Sequence, residues 1–136
     1  MNWKLISQLS MFGLAMGLAT VFFIPSTIEP AIWLVIFLVC AYLIARQCQS
    51  KHFLHGLLLG LANSVWITTA HALFYPQYIA AHPREAEMMI AMPWPDRPRL
   101  MMMLTGPIIG SISGTVIGMF AVVAGRLLKR NPLFGR

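Results

Sequence analysis

Four long apolar stretches, at residues 5–24, 28–45, 53–75 and 100–124, contain no Asp, Lys or Arg, and the one Glu is Glu29 at the very start of the second. Nothing else in the chain restricts its fold as strongly. A helix rises about 1.5 Å per residue, so crossing a hydrocarbon core of about 30 Å takes roughly 20 residues. All four stretches reach the working range of about 17–25. Helices of a water-soluble core need polar outer faces, and these have none. Only 10% of the residues are charged, against about 25% in soluble domains. The expected fold is all-α: a polytopic membrane protein, one membrane domain over residues 1–136, built as a four-transmembrane-helix bundle. The first stretch has 20 residues and ends at Pro25 without an A-x-A site. A cleavable signal usually has a shorter apolar region of about 7–15, so a retained helix is expected.

With four spans, both termini and the central connection share one side. That side holds Lys4, Arg46, Lys51, Arg126, Lys129, Arg130 and Arg136, and the other holds Arg84, Arg97 and Arg99. The imbalance predicts cytoplasmic termini and an outer 76–99 loop. Trp3 and Tyr42 mark the inner interface, and Trp33, Tyr75, Tyr78 and Trp94 the outer one. The formal charge of +6 sits mostly at inner helix ends, so the lipid bilayer is the expected partner and nucleic acid is not.

The first two connections are short, which predicts that the first helix neighbours the second and the second neighbours the third. Ser26 or Thr27 is placed to cap the second helix, and Ser26 with Glu29 fits a capping box. Arg46 suits that helix's negative end. The third connection is long. Within it, Pro83 can open a helical turn, with Glu85 and Glu87 at its positive end and Met88, Met89 and Met92 sharing a face until Pro93. A short amphipathic surface helix between helices three and four is expected. Asp96 is the expected cap of the fourth helix.

The fourth stretch carries Gly106, Gly110, Gly114 and Gly118, each four residues from the next. Each interior Gly costs about 1 kcal/mol against Ala in water. In lipid the helix holds regardless, because an unbonded amide there is more expensive. Small residues then let backbones approach, which is how helices associate without a hydrophobic drive. At 3.6 residues per turn such a stripe winds about 40° per step, which suits a right-handed crossing. Pro107 removes the hydrogen bond to the Met103 carbonyl and predicts a bend. Gly13 and Gly17 repeat the spacing in the first helix, and Gly56, Gly60, Ser64, Thr68 and Ala72 in the third. Helix packing is therefore assigned to Gly13, Gly17, Gly56, Gly60, Gly106, Gly110, Gly114 and Gly118. Helices one, three and four should form the tight contacts and leave helix two facing lipid. The stripes serve contacts either within one chain or between copies.

Asn63, Ser64 and His71 form the candidate polar pathway, since polar groups within a membrane are costly and often mark sites. The competing reading is hydrogen bonding of Asn63 and His71 to Ser111, Ser113 or Thr115. His52 and His55 are read as interfacial. The outer Met88, Met89, Met92, Met101, Met102 and Met103, with His82 nearby, suggest a soft site for copper, with Met88, Met89 and Met92 as weak candidates. Apolar packing explains them without metal, and no metal or cofactor is assigned. Cys40 and Cys48 lack metal-type spacing and are read as small buried or interfacial side chains. No serine elbow, phosphate loop or zinc pattern occurs, and the Ser113–His71 pair lacks a group to orient the imidazole. The chain is not expected to be an enzyme.

In size and layout the chain resembles the broad class of small polytopic bacterial inner-membrane proteins, which implies a multi-pass protein there. Two functions are open. One is a non-catalytic membrane protein that self-associates into a homo-oligomer or joins other membrane subunits. The alternative is a small-solute transporter or channel with Asn63 and His71 on its path.

Overall fold

The computed structural model describes residues 1–130, apart from the side chain of Arg130. Arg136 lies outside the described residues. The chain is helical, with α1 over Trp3–Phe22, α2 over Glu29–Gln47, α3 over His52–Leu73, α4 over Tyr75–Ala81, α5 over Pro83–Ile90 and α6 over Pro98–Arg130. There is no strand among the described residues. Four helices, α1, α2, α3 and α6, are long and apolar enough to cross a membrane. The amphipathic helix anticipated between the third and fourth spans is α5. It is preceded by α4, a second helix within the segment expected as loop. Leu73 ends α3, Phe74 serves as cap to both helices, and Pro76 is tolerated in the first turn of α4 because an orphan amide is dispensable there.

The helices do not pack in chain order. The most extensive interface is between α3 and α6, then come α1 with α3 and α2 with α6. Against its sequence neighbours α1 and α3, α2 makes only sparse contact. The expectation from short connections therefore fails for α2, and the cause is side-chain size. A groove of small residues lets α3 and α6 approach to backbone contact. A Cβ on Gly56 would collide with the Gly118 backbone, and one on Gly60 with Gly114. At Gly110 it would lie 2.5 Å from the Ser64 Cβ, and at Gly106 it would meet the Thr68 hydroxyl. Each step of four up α3 is a step of four down α6, so the seam is antiparallel and uses the full stripe. On its other side α3 meets α1, where a Cβ on Gly13 would lie 2.8 Å from the Asn63 Cα and one on Gly17 3.1 Å from the Ile67 Cα. The stripes are thus occupied within one chain. Gly125, two turns beyond Gly118 along α6, packs on the His52 ring.

Large side chains dominate α2, and it approaches the others only near Cys40 and Ala41. There Cys40, Ala41 and Ile44 join Leu5 and Leu9 of α1, Leu59 of α3, and Ile117 and Ala121 of α6 in a solid core at the end that carries the termini. In its first half α2 buries no residue. The helix that the sequence marked as most exposed is the least buried of the four spans, at 17% of its apolar window.

Several local expectations are corrected. The N-cap of α2 is Ile28, without a side-chain cap, so neither Ser26 nor Thr27 caps it and no capping box forms. Instead the Ser26 hydroxyl donates to Glu85 Oε2 at 3.0 Å, and Glu29 Oε1 accepts from the Trp33 indole at 3.1 Å. The cause is the folding of α5 back over the 23–28 turn, which offers Ser26 a stronger acceptor. Asp96 does not cap α6, which begins at Pro98 with Arg97 as its preceding residue. Helix α6 runs unbroken past Pro107, and the nearby Thr105 and Ser111 hydroxyls bond carbonyls of their own helix. His55 is buried, not interfacial: its Nδ1–H donates to the Lys51 carbonyl and its Nε2 accepts the Asn2 amide at 3.0 Å. It anchors the N-terminus of α1 to the start of α3. His52 bonds the Cys48 carbonyl at 2.8 Å. Both cysteines are free and buried, and burial pushes the Cys48 thiol above its ordinary range.

Candidate functional site

At the end opposite the termini, α2 diverges from the α3–α6 seam and leaves a cleft of about 620 Å³. Ligand pockets commonly fall between about 300 and 1,000 Å³. One wall is the first half of α2, with Glu29, Trp33, Leu34 and Phe37. The other is α3 and α6, including Asn63, Ser64, His71, Thr105 and Ser113, while Tyr78 of α4 and Met89 of α5 lie at its outer end. From Gly60 to His71 the cleft follows α3 for about 16 Å, at 1.5 Å per residue. Below it, Leu59 and Ile117 are fully buried and close the way to the other end. Along it α2 makes only sparse contact with α1 and α3.

The three residues singled out as a polar pathway, Asn63, Ser64 and His71, all reach this cleft. Their partners differ from those expected. None of Ser111, Ser113 and Thr115 bonds Asn63 or His71; Ser111 and Thr115 satisfy themselves on backbone carbonyls one turn earlier. His71 Nε2 lies 2.8 Å from the Thr20 hydroxyl of α1. That hydroxyl donates its proton to the Met16 carbonyl at 2.8 Å, so His71 is the donor to Thr20 Oγ1. A Ser113–His71 dyad does not form. Ser64 donates to the Leu61 carbonyl. Asn63 Oδ1 is buried with no partner, packed where Gly13 leaves room.

Above His71 is an arrangement the sequence reading missed. The Tyr78 ring stacks on His71 with centroids 3.9 Å apart and on His82 at 4.4 Å. His82 is fully buried, its Nδ1–H donating to the Tyr78 carbonyl at 2.9 Å while Nε2 has no partner. Val21 and Met102 pack on Tyr78, and Met89, Phe74 and Ile79 join them. Tyr78, assigned from sequence to the outer interface, is therefore buried. Burial, then the carboxylates of Glu29 and Glu85, hold its phenol above the ordinary range, so it stays neutral in physiological conditions. The signal was present in the spacing: residues 71, 78 and 82 fall on one helical stripe, which survives the change from α3 to α4. Comparison with protein-family models, curated proteins and solved structures found no match for this chain.

The outer methionines do not converge on one point. Met89 and Met102 line the cleft, whereas Met103 lines a second cavity across the seam with Arg99. Met88 is exposed, and Met92 is half-buried. His71 and His82 flank opposite faces of Tyr78, too far apart to share one ion. The geometry instead places one shaped, mostly apolar space beneath a rigid polar roof. It offers ring faces, thioethers, hydroxyls and one carboxylate, with no nucleophile set against a base.

Proposed function

We propose that the protein is a non-catalytic, four-span membrane protein that holds a small membrane-dissolved molecule in this cleft, either alone or as a subunit of a larger membrane assembly. The observation that carries the reading is the cleft between α2 and the α3–α6 seam, mostly apolar in its lining, with Asn63, Ser64 and Ser113 along its wall and Glu29 and His71 towards its outer end. Membrane residence is supported by the outward faces. Val35 and Leu38 of α2 and Ile108 and Ile112 of α6 are each more than half exposed, and so extended an apolar surface is incompatible with water. In this reading the α3–α6 seam is a glycine zipper, and it works internally. It lends no support to self-association, which would need another face.

Filling the cleft tests the proposal. Ser113 lines it and is only partly buried, so Ser113→Phe projects a ring into the space. Protein purified in mild detergent is extracted with organic solvent and its small molecules are identified by mass spectrometry. The wild type should retain a molecule that the variant loses, with both folded. Equal retention by both overturns the reading.

The location proposed is the bacterial inner membrane with both termini cytoplasmic. Lys4, Arg46, Lys51, Arg126 and Lys129 gather at one end of the spans, and Arg84, Arg97 and Arg99 at the other. With Cys40 and Cys48 replaced by Ser, a cysteine at Glu87 should react with an impermeant maleimide from outside and one at Lys129 should not. Labelling of position 129 in intact cells overturns this orientation.

The transport reading keeps one favourable observation, the meeting of Asn63, Ser64 and His71 on the cleft wall. The path is closed beneath Gly60, so transport would require the Leu59–Ile117 layer to part.

A further inference from the structure

The cleft lining contains one residue with a formal charge, Glu29, and no Lys or Arg. Its carboxylate is bonded by the neutral Trp33 indole. At the same end Glu85 is bonded by the neutral Ser26 hydroxyl. Of the arginines at this end, Arg84 and Arg97 do not line the cleft, and Arg99 turns elsewhere: it donates to the Ala72 carbonyl at 3.0 Å, lies 5.9 Å from the Tyr75 ring centroid and lines the cavity across the seam. Helix dipoles do not reverse the sign. Each contributes about half a charge at its end. Glu29 lies in the first turn of α2, whose partial positive charge offsets only part of the full charge of the carboxylate.

Beneath the carboxylate are ring faces. Trp33 and Phe37 form a pair with centroids 5.6 Å apart on α2, and Tyr78 lies on the opposite wall. Aromatic faces attract cations, and the attraction grows when the cation is desolvated. An anionic head would meet a carboxylate and no basic group. A neutral molecule would leave Glu29 uncompensated beside an apolar space.

We propose that the cleft binds a lipophilic cation, a hydrophobic molecule with a quaternary or delocalised positive charge. The charge sits between Glu29 and the Trp33 ring, across from Tyr78, whose own faces are covered by His71 and His82, and the apolar bulk lies against Phe37, Ile67 and Ile109. This inference rests on the reading of the cleft as a ligand site and adds the sign of the ligand.

The test compares tetraphenylphosphonium with tetraphenylborate, a cation and an anion of nearly the same shape, and with neutral tetraphenylmethane. Binding is measured in nanodiscs of zwitterionic lipid by quenching of Trp33, with Trp3, Trp66 and Trp94 replaced by Phe. The cation should bind saturably and at least about tenfold more tightly than the anion. Glu29→Gln should weaken the cation by a similar factor and leave the neutral probe unchanged. If all three probes bind alike and Ser113→Phe abolishes all of them, the cation inference is overturned and the ligand site stands. If no probe binds saturably and solvent extraction of the wild type yields no retained molecule, both are overturned. The cation–anion comparison uses Glu29-intact protein, so it holds even if Glu29→Gln misfolds.

Discussion

Replacing Gly60 and Gly114 together with Val is expected to produce the largest loss of stability in this protein. A Cβ at Gly60 already collides with the Gly114 backbone, and one at Gly114 would lie 2.6 Å from the Leu57 carbonyl oxygen. Backbone cannot rotate aside as a flexible side chain can, so α3 and α6 must separate along their whole seam. Overpacking costs about 1–3 kcal/mol at an ordinary site, and two such sites on one seam should reach or exceed the top of that range. Lipid offers no compensating burial, since tails already surround the helices. The variant should insert normally, because its hydrophobicity rises. In detergent its unfolding midpoint should fall sharply while the mass of the folded particle stays unchanged. A fall in oligomer mass with an unchanged midpoint would mean that the stripe joins copies, and the internal seam would be wrong. Val35→Ala on the exposed face of α2 serves as the control and should leave both readouts unmoved.

Tyr78→Ala should come next in size. The ring is held between two imidazoles and packed by Val21 and Met102, so truncation removes the common contact of α1, α4 and α6. Large aromatic truncations in cores cost about 3–5 kcal/mol. The loss here should be local, because the solid core at the far end does not depend on Tyr78. Hydrogen exchange should rise through residues 75–90 and stay slow near Leu59 and Ile117. Tyr78→Phe keeps both stacks and should cost less than about 1 kcal/mol, since no hydrogen bond of the phenol holds the fold. If Tyr78→Phe releases the segment as fully as Tyr78→Ala, the stacking account is wrong.

Four helices long and apolar enough to cross a membrane, their approximate extent and the short helix before the last of them were legible in the chain itself. Hydropathy over about 20 residues and a spacing of four are local properties, and a bilayer-length helix satisfies its own backbone. The conspicuous glycine run from 106 to 118 led directly to the strongest interface because only backbone contact explains so many poor helix formers. Asn63, Ser64 and His71 were also visible, as rare polar groups in apolar surroundings. The tertiary structure decided their partners and the cleft. His71 bonds Thr20, fifty-one positions away in the chain, and no local pattern selects Thr20 over Ser113. Tyr78 reads as an interfacial residue and His82 as a neighbour of the outer methionines, and it is the packing of α4 against α1 that buries them. The cleft depends on α2 meeting α6 instead of its chain neighbours, a choice made by the fit of Cys40 and Ala41 against Ile117 and Ala121. Loop length limits which helices can be adjacent; the shapes of facing side chains determine which of them touch.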